Sequence, residues 1–364
     1  MTTNQIAHQR LHNQHIAGPG FSTPADVVRW LGAVQAQDYP AGKWAVGLRA
    51  PSLSDDEVER AITNGEVLRT HVMRPTWHLV APEDIRWLQA LTAPRVKVAI
   101  SNWARRMELD EAFLARTHIL IEQALQGGNH LTRPEIAAVL NQAGIPTDPL
   151  RLTNIVMQAE LDALICSGPR KGHEITYALL EERVPQTRPL AYDEALAELT
   201  RRYFTSHGPA TVKDFVWWSG LTTAQARSGL EMIKTQLIQE VFDGKTYWFP
   251  EPAPSTGDTS SSAGAPGAYL LPNYDEYIVA YADRTAAYDD IPADKLDARG
   301  NVLFNHTILI NGWVVGIWKR TLKKAEVVIE ATPFASLSES ESQVVTAAAE
   351  RYGRFLHLPA TVKL

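Results

Sequence analysis

Residues 132–179 read TRPEIAAVLNQAGIPTDPLRLTNIVMQAELDALICSGPRKGHEITYAL, and this stretch carries the pattern that decides the fold. Thr132 and Glu135 have the spacing of a capping box, and apolar residues follow at the i, i+3, i+4 spacing of a buried helical face. Gly144 ends this helix, and a second helix with the same spacing begins near Pro149. Strand-like residues then flank a Gly-Pro-Arg-Lys-Gly turn. Helix, turn, helix and hairpin together predict a winged helix.

A later segment repeats this order of elements. A long helix is predicted over Tyr192 to His207, and a second begins at the N-cap Thr211. After a break at Ser219-Gly220, a third helix is predicted over Thr223 to Lys234. Two strand-like runs then flank Asp243-Gly244, a dipeptide that suits a type I′ hairpin. This segment is therefore predicted to be another winged helix.

The first segment shows the same order in a weaker form. Pro24 starts a helix, and Ser54 to Glu57 form a capping box that starts another. Glu66 to Val80 has the pattern of a hairpin around Arg74-Pro75. Because the three segments share an order of elements but little sequence, we interpret them as a structural repeat.

The remainder of the chain has a different character. Glu251 to Gly267 is rich in Pro, Ser, Thr and Gly, which predicts a linker or mobile loop. Short strands follow, with Asn311-Gly312 as the strongest hairpin signal, and Glu339 to Leu356 predicts a terminal helix. The predicted strands are Val302 to Phe304, Thr307 to Ile310, Trp313 to Trp318 and Glu326 to Ile329. They indicate a small β-barrel or sheet.

The predicted fold class is therefore α+β. Its predicted parts are winged-helix units over 1–108, 109–188 and 189–250, a linker over 251–267, and a β-barrel with a terminal helix over 268–364.

Composition limits the function classes. The chain of 364 residues is 45% hydrophobic and 21% charged, as is usual for soluble globular proteins, and it contains no uninterrupted apolar span. The first ten residues lack the apolar core of a secretory signal, so we expect a cytoplasmic protein without a membrane segment. A net charge of -6 argues against indiscriminate wrapping of nucleic acid, although local basic patches can override it.

Common cofactor and metal signatures are absent from the sequence. There is no Walker loop, dinucleotide-binding glycine run, His-Glu-x-x-His or Gly-x-Ser-x-Gly. The single cysteine, Cys166, excludes an internal disulfide and a cysteine zinc cluster. His8, His12 and His15 are spaced along a predicted N-terminal helix, where a polar face is favoured over a metal triad. We predict neither a cofactor nor a metal site.

Winged helices alone favour nucleic-acid binding, because a helix fits the major groove and the hairpin reaches the flanking backbone. Fold does not fix function, however, and winged helices also act as protein–protein modules. A DNA-binding regulator without activity and a protein scaffold therefore remain open at this point.

Five motifs stand out along the chain: Gln-Ala-Gln at residues 35–37, RPTWH at 74–78, LICSGP at 164–169, LLPNYDEY at 270–277 and NGWVVGIWKR at 311–320. Together they resemble the AlkZ/YcaQ superfamily of bacterial winged-helix DNA glycosylases. The resemblance covers nearly the whole chain. It implies three winged-helix units and a β-barrel that form a C-shaped clamp on DNA. It also implies excision of N7-alkylated purines, and some members unhook interstrand crosslinks.

The resemblance places the catalytic residues at Gln35 and Gln37, in the Gln-x-Gln pattern of the AlkZ-like branch. Glutamine cannot act as a general base, but an N7-alkylated purine is cationic and leaves as a neutral group. Two amides then need only to hold a water and to place a carbonyl dipole near the developing sugar cation. Both side chains face one side if the segment is extended, which Pro40 favours. The alternative is a pair of polar residues that finishes a helix and caps a loop.

Other residues are assigned to the cleft or to DNA. The family pattern suggests that Arg74 and His78 line the cleft, although a hydrogen-bonded core histidine is equally consistent with the sequence. Asp275 and Glu276 are the acidic pair expected to face it, unless they form a barrel-edge turn. Asp38 is interpreted as structural. The candidate DNA contacts are Arg170, Lys171, Lys245, Lys319 and Arg320, for which solvated surface charge is the alternative.

The sequence thus predicts a monofunctional, cofactor-free DNA glycosylase that acts as a monomer on double-stranded DNA with alkylated or crosslinked purines, in the cytoplasm and associated with the nucleoid. The alternative is a non-enzymatic winged-helix DNA-binding protein or transcription regulator, which is usually a symmetric dimer. The lesion, base flipping and biological context stay open.

Overall fold

The computed structural model describes residues 1–251, 267–288, 291, 295–296 and 301–364. The predicted linker therefore lies almost entirely outside the described residues.

The first segment consists of helices followed by a small sheet. Thr23 caps the helix that Pro24 begins, Ser54 forms the predicted capping box with Glu57, and Gly65 ends that helix in the left-handed conformation. The sheet has the order β1-β3-β2, so β3 pairs with both neighbours. The elements are α1 (Thr3–Asn13), α2 (Pro24–Leu31), β1 (Val34–Gln35), α3 (Tyr39–Arg49), α4 (Asp55–Asn64), β2 (Leu68–His71) and β3 (Trp77–Val80).

The long α5 ends the range predicted for the first unit and leads into the second segment, which confirms the predicted helix starts. The Thr132–Glu135 capping box is present, and Pro149 is the first residue of α8. Its sheet has the order β4-β6-β5. The elements are α5 (Ile85–Arg106), α6 (Glu111–Leu125), β4 (Leu131–Thr132), α7 (Arg133–Gln142), α8 (Pro149–Leu161), β5 (Ile165–Ser167), β6 (Thr176–Leu179) and α9 (Leu180–Arg183).

The third segment follows the predicted order closely. Thr211 caps α11, Gly220 ends it with φ of 70°, and Asp243-Gly244 forms the turn of the hairpin with both residues at positive φ. The elements are α10 (Tyr192–His207), α11 (Val212–Ser219), α12 (Thr223–Ile233), β7 (Leu237–Phe242) and β8 (Lys245–Pro250).

The C-terminal part contains a five-stranded sheet of order β13-β12-β11-β10-β9. Only the β12–β13 pair is parallel. In the described residues β9 and β13 are edges, so the sheet is open and fits a half-barrel, where the sequence predicted a small β-barrel or sheet. Helix α14 packs against both edge strands. The elements are β9 (Ala268–Leu271), α13 (Glu276–Val279), β10 (His306–Ile310), β11 (Trp313–Leu322), β12 (Val327–Pro333), α14 (Glu339–Phe355) and β13 (Ala360–Lys363).

Two local predictions are wrong. Val302–Phe304 is a 3₁₀ turn rather than a strand, because the Asn301 side chain accepts a hydrogen bond from the Leu303 N–H and caps it. The N-terminal helix ends at Asn13, and His15 lies beyond it with φ of 53°, so the three histidines do not share a helical face.

Hydrophobic packing joins the segments. One cluster combines the helices of the first segment with the C-terminal sheet and α14, with Trp44, Trp318 and Tyr352 among its fully buried members. A second cluster combines β2, β3 and α5 with α10 to α12. The first segment is therefore held between the third segment and the C-terminal sheet. None of the helices in the described ranges is long and apolar enough to cross a bilayer.

Candidate active site

The Gln-Ala-Gln segment is extended, as predicted. Gln35 pairs with His78 across β1 and β3, and the Ala36 N–H donates to the Trp77 carbonyl at 2.7 Å. Asp38 ends the extension because its Oδ1 accepts from the Ala41 N–H at 3.1 Å and caps α3. This contact confirms the structural interpretation of Asp38.

Gln35 is buried, and both its backbone N–H and its side-chain oxygen are hydrogen-bonded. Its backbone N–H donates to Oε1 of Glu276 at 2.8 Å, and its Oε1 accepts from Nη2 of Arg74 at 2.8 Å. Because a guanidinium can only donate, this contact fixes which end of the amide is oxygen. The NH₂ group of Gln35 makes no hydrogen bond to another described residue.

Gln37 is exposed, unlike its partner, and its Oε1 accepts from the Thr76 hydroxyl at 2.7 Å. Thr76 lies in the hairpin turn between β2 and β3, as does Arg74. One turn therefore orients both amides. Gln35 lies in the protein interior and Gln37 at its surface.

His78 is fully buried and neutral. Burial, and then the neighbouring Arg74 cation, lower the pKa of His78 to about 3. Its Nδ1 lies 3.1 Å from the Thr76 carbonyl, and its Nε2 lies 3.4 Å from Nη2 of Arg74. These partners fit a neutral ring with its proton on Nδ1. At neutral pH His78 is therefore an uncharged imidazole whose single N–H faces the Thr76 carbonyl, rather than an imidazolium that could protonate a leaving group.

Glu276 is a fully buried carboxylate at the centre of the site. Burial raises its pKa, but the neighbouring His207, the charge of Arg74 and the Gln35 N–H outweigh this and bring the pKa to about 2. Its Oε2 accepts from Trp218 Nε1 at 2.8 Å and lies 3.5 Å from His207 Nε2. Glu276 is thus ionised and links the glutamine strand to the third segment.

Asp275 has a different environment from its neighbour. Its two oxygens accept from Arg49 in a bidentate pair, each at 2.9 Å, and its Oδ1 also accepts from the Tyr277 N–H at the start of α13. Both Asp275 and Arg49 are fully buried. The structure therefore brings Gln35, Arg74 and Glu276 together, with His78, but directs Asp275 to a separate ion pair.

The five candidate DNA contacts lie in several places. Arg170 is close to the glutamine segment, with its guanidinium 5.2 Å from the centre of the Tyr39 ring. The other four do not contact the site residues. Lys171 pairs with Glu135, Lys245 pairs with Asp283, Lys319 is exposed on β11, and Arg320 contacts Tyr352.

Several site residues were not found from the sequence. Trp218 donates to Glu276 and His207 lies beside it, and neither residue stands in a recognisable motif. Arg69 donates from Nε to the Ala36 carbonyl at 3.0 Å, directly between the two glutamines. Within the described ranges, no group of three or more His, Cys, Asp or Glu side chains could hold a metal ion.

Comparisons with known proteins identify the class of this chain. The sequence model of the AlkZ-like DNA glycosylases matches residues 28–355. A relative from Streptomyces sahachiroi, described as an interstrand DNA cross-link repair glycosylase, is 23% identical over 352 residues, which cover 91% of this chain and 90% of the relative. The solved structure of Streptomyces sahachiroi DNA glycosylase AlkZ matches with a TM-score of 0.75 at 20% identity, over 100% of both chains.

The class is therefore that of the DNA repair glycosylases, enzymes that act on DNA. More particularly, the chain belongs to the AlkZ-like DNA glycosylase family, because the family model matches most of its length. The resemblance stated from the motifs is confirmed, and the solved structure shows the shared fold.

Proposed function

We propose that this protein hydrolyses the N-glycosidic bond of N7-alkylated purines in double-stranded DNA, with Gln35 and Gln37 as the catalytic residues. The observation that carries this proposal is that two amides have a fixed orientation at a site whose titratable neighbours are not available as a catalytic acid or base. His78 is neutral, and Glu276 is ionised and fully enclosed.

This arrangement suits a base that needs no protonation. An N7-alkylated purine is positively charged and departs as a neutral molecule, so a general acid is unnecessary. The sugar becomes cationic as the bond breaks, and a water must reach its anomeric carbon. The protein has to place that water and to stabilise the charge.

The two amides can perform both tasks. Each amide oxygen uses one lone pair on its protein partner, Arg74 or Thr76, and keeps a second for a water hydrogen or for the sugar cation. Because the hairpin turn holds both oxygens, little reorganisation is required during the reaction.

The buried charges offset one another. A cation beside the reacting sugar opposes the development of positive charge, and Arg74 is such a cation. The negative charge of Glu276 raises the pKa of Arg74 and so stabilises its cation. The same carboxylate accepts a hydrogen bond from the Gln35 backbone N–H. Glu276 therefore acts as a positioning residue, since its side chain is enclosed and cannot touch a substrate.

The wider DNA contacts follow from the segment order. We propose that the three helix–hairpin segments are winged-helix units that close around duplex DNA as a monomeric C-shaped clamp. Arg170, Lys171, Lys245, Lys319 and Arg320 would contact the backbone. A crosslink through N7 presents the same cationic leaving group, so we extend the proposal to the crosslinked DNA named for the Streptomyces sahachiroi relative.

Incubation with a duplex that contains N7-methylguanine, followed by alkali, tests the function. The wild type should give strand breaks at the lesion, and Q35A and Q37A should lose most of that activity but still bind duplex. Q343A removes an exposed glutamine from α14 and is the matched control. A wild type that binds DNA but releases no base from methylated or crosslinked duplex would instead support a non-enzymatic DNA-binding protein.

A further inference from the structure

Three arginines alternate with two aromatic rings beside the Gln-Ala-Gln segment. The Arg69 guanidinium lies 4.4 Å from the centre of the Trp77 ring and 5.9 Å from that of Tyr39. Arg133 lies 5.6 Å from Trp77, and Arg170 lies 5.2 Å from Tyr39. We call the series Arg133, Trp77, Arg69, Tyr39 and Arg170 the arginine ladder. It combines residues of the first and second segments.

The ladder is bonded directly to the glutamine segment. Arg69 Nε donates to the Ala36 carbonyl at 3.0 Å, and the Ala36 N–H donates to the Trp77 carbonyl at 2.7 Å. Trp77 follows Thr76, which holds the amide of Gln37. Any ligand that fixes the ladder therefore also fixes the position of the two glutamines.

The charges of the ladder are only partly matched. Arg69 is 5% exposed, yet among the described residues it makes no ion pair, and its only side-chain hydrogen bond is to Ala36. Within the same ranges Arg133 has no ion pair and bonds only to the hydroxyls of Thr153 and Tyr177. A buried cation without an anionic partner is costly, so the fold maintains this arrangement at the expense of stability.

The neighbouring acidic groups are already engaged. Glu59 accepts from Lys43 at 2.8 Å, from the Tyr39 hydroxyl at 2.9 Å and from Arg170 at 3.3 Å. Asp55 is paired with Lys43, and Oε2 of Glu160 contacts Nδ1 of His71 behind Trp77. Oε1 of Glu160 is buried and has no hydrogen-bond partner among the described residues. Burial lowers the pKa of Arg69, and Arg133 adds to this effect, although the charge of Glu160 acts in the opposite direction. An additional anion would relieve this accumulation of positive charge.

We propose that the arginine ladder binds a phosphate of the DNA backbone next to the nucleotide that reaches Gln35 and Gln37, an inference that rests on the proposed glycosylase function. Guanidinium groups match phosphate oxygens in a planar, bidentate geometry. Contact with the Trp77 and Tyr39 rings restricts the movement of the guanidinium groups before DNA arrives, which lowers the entropy cost of binding. The bound phosphate then determines how far the target sugar lies from Gln37.

The salt dependence of duplex binding tests this inference. Affinity for an undamaged, fluorescein-labelled duplex is measured between about 50 and 200 mM salt for the wild type, R133Q, R170Q and the double variant. Each single substitution should lower the slope of log affinity against log salt by up to about one, and the double variant should lose no more than about one in total, because the ladder neutralises a single phosphate. Arg133 and Arg170 are half-buried, so these variants are expected to fold.

R188Q is the matched control, because Arg188 is exposed and paired with Glu194, outside the ladder. It removes the same charge and should leave the slope unchanged. Slopes for R133Q and R170Q that equal that of R188Q would overturn the proposal.

The experiment separates this inference from the proposed function, since binding of undamaged duplex requires no excision. If the salt slope depends on Arg133 and Arg170 but no N7-methylguanine is released, the phosphate site is supported and the glycosylase mechanism is refuted. Full excision with unchanged slopes would refute the phosphate site alone. A single neutral methylphosphonate beside the lesion should slow the wild type more than R133Q, because the variant has already lost that contact.

Discussion

Replacement of Glu276 by glutamine is the sharpest structural test of how the site is held together. The carboxylate accepts from the Gln35 N–H and from Trp218 Nε1, both at 2.8 Å, and it is fully buried. A glutamine at 276 has almost the same shape but only one oxygen. One of the two N–H donors must therefore face an NH₂ group.

The expected cost follows from these contacts. Hydrogen bonds to a charged group contribute about 1.5–3 kcal/mol each, and disruption of a buried charged network costs about 3–5 kcal/mol. The melting temperature of E276Q should fall by roughly 5–10 °C. Excision of N7-methylguanine should slow by about 10²-fold, because the strand that carries Gln35 loses its anchor.

Thermal unfolding and single-turnover excision measure these effects, with E181Q as the control. Glu181 is exposed and paired with Arg86, so the same charge change there should have little effect. The folded-state pKa of Glu276 is lowered from 4.5 to about 2, so its stabilisation is present above 4.5 and is lost as the pH falls toward 2. The stability difference between the wild type and E276Q should shrink over that range. E276Q with the melting temperature and rate of E181Q would refute the reasoning.

Three further predictions concern the surroundings of the glutamine pair. Because His78 is neutral above a pKa of about 3 and Glu276 is ionised above about 2, single-turnover excision should be independent of pH between about 5 and 8; an inflection there would indicate a catalytic acid or base. G220A should destabilise the protein by more than about 1 kcal/mol in denaturant unfolding, because Gly220 has φ of 70° and an added Cβ would overlap the Met73 carbonyl oxygen; unchanged stability would contradict this packing. G42A should slow excision, because its Cβ would lie 2.8 Å from that of the alanine between the two glutamines; a wild-type rate would show that the contact is unimportant.

Local signals explain what the sequence predicted correctly. The capping box at Thr132 and Glu135 and the Asn311-Gly312 turn each require only residues within a few positions of one another, and both are present. The run from Val302 to Phe304 misled the strand prediction because three apolar residues do not show a period, and the Asn301 cap overrides their strand preference.

The neighbours of Gln35 could be predicted only where they lie together on the hairpin of β2 and β3. Arg74 and His78 could be placed near Gln35 because one turn and one strand carry them. Glu276 reaches Gln35 across 241 positions, and no local pattern indicates this contact. Asp275 and Glu276 are adjacent in sequence, but the start of α13 directs their side chains to different partners, Arg49 for the first and the Gln35 N–H and Trp218 for the second. Sequence periodicity does not resolve such a difference.

The central claim is that two fixed amides, rather than an acid or base, carry the reaction. The direct measurement is the single-turnover rate of N7-methylguanine release at saturating enzyme for Q35A, Q37A, the double variant and the control Q343A. We predict a loss of roughly 10²-fold for each single variant, and a double variant much less impaired than the product of the two losses, because both amides act on one water and one sugar cation. Rates for Q35A and Q37A equal to that of Q343A would contradict the account.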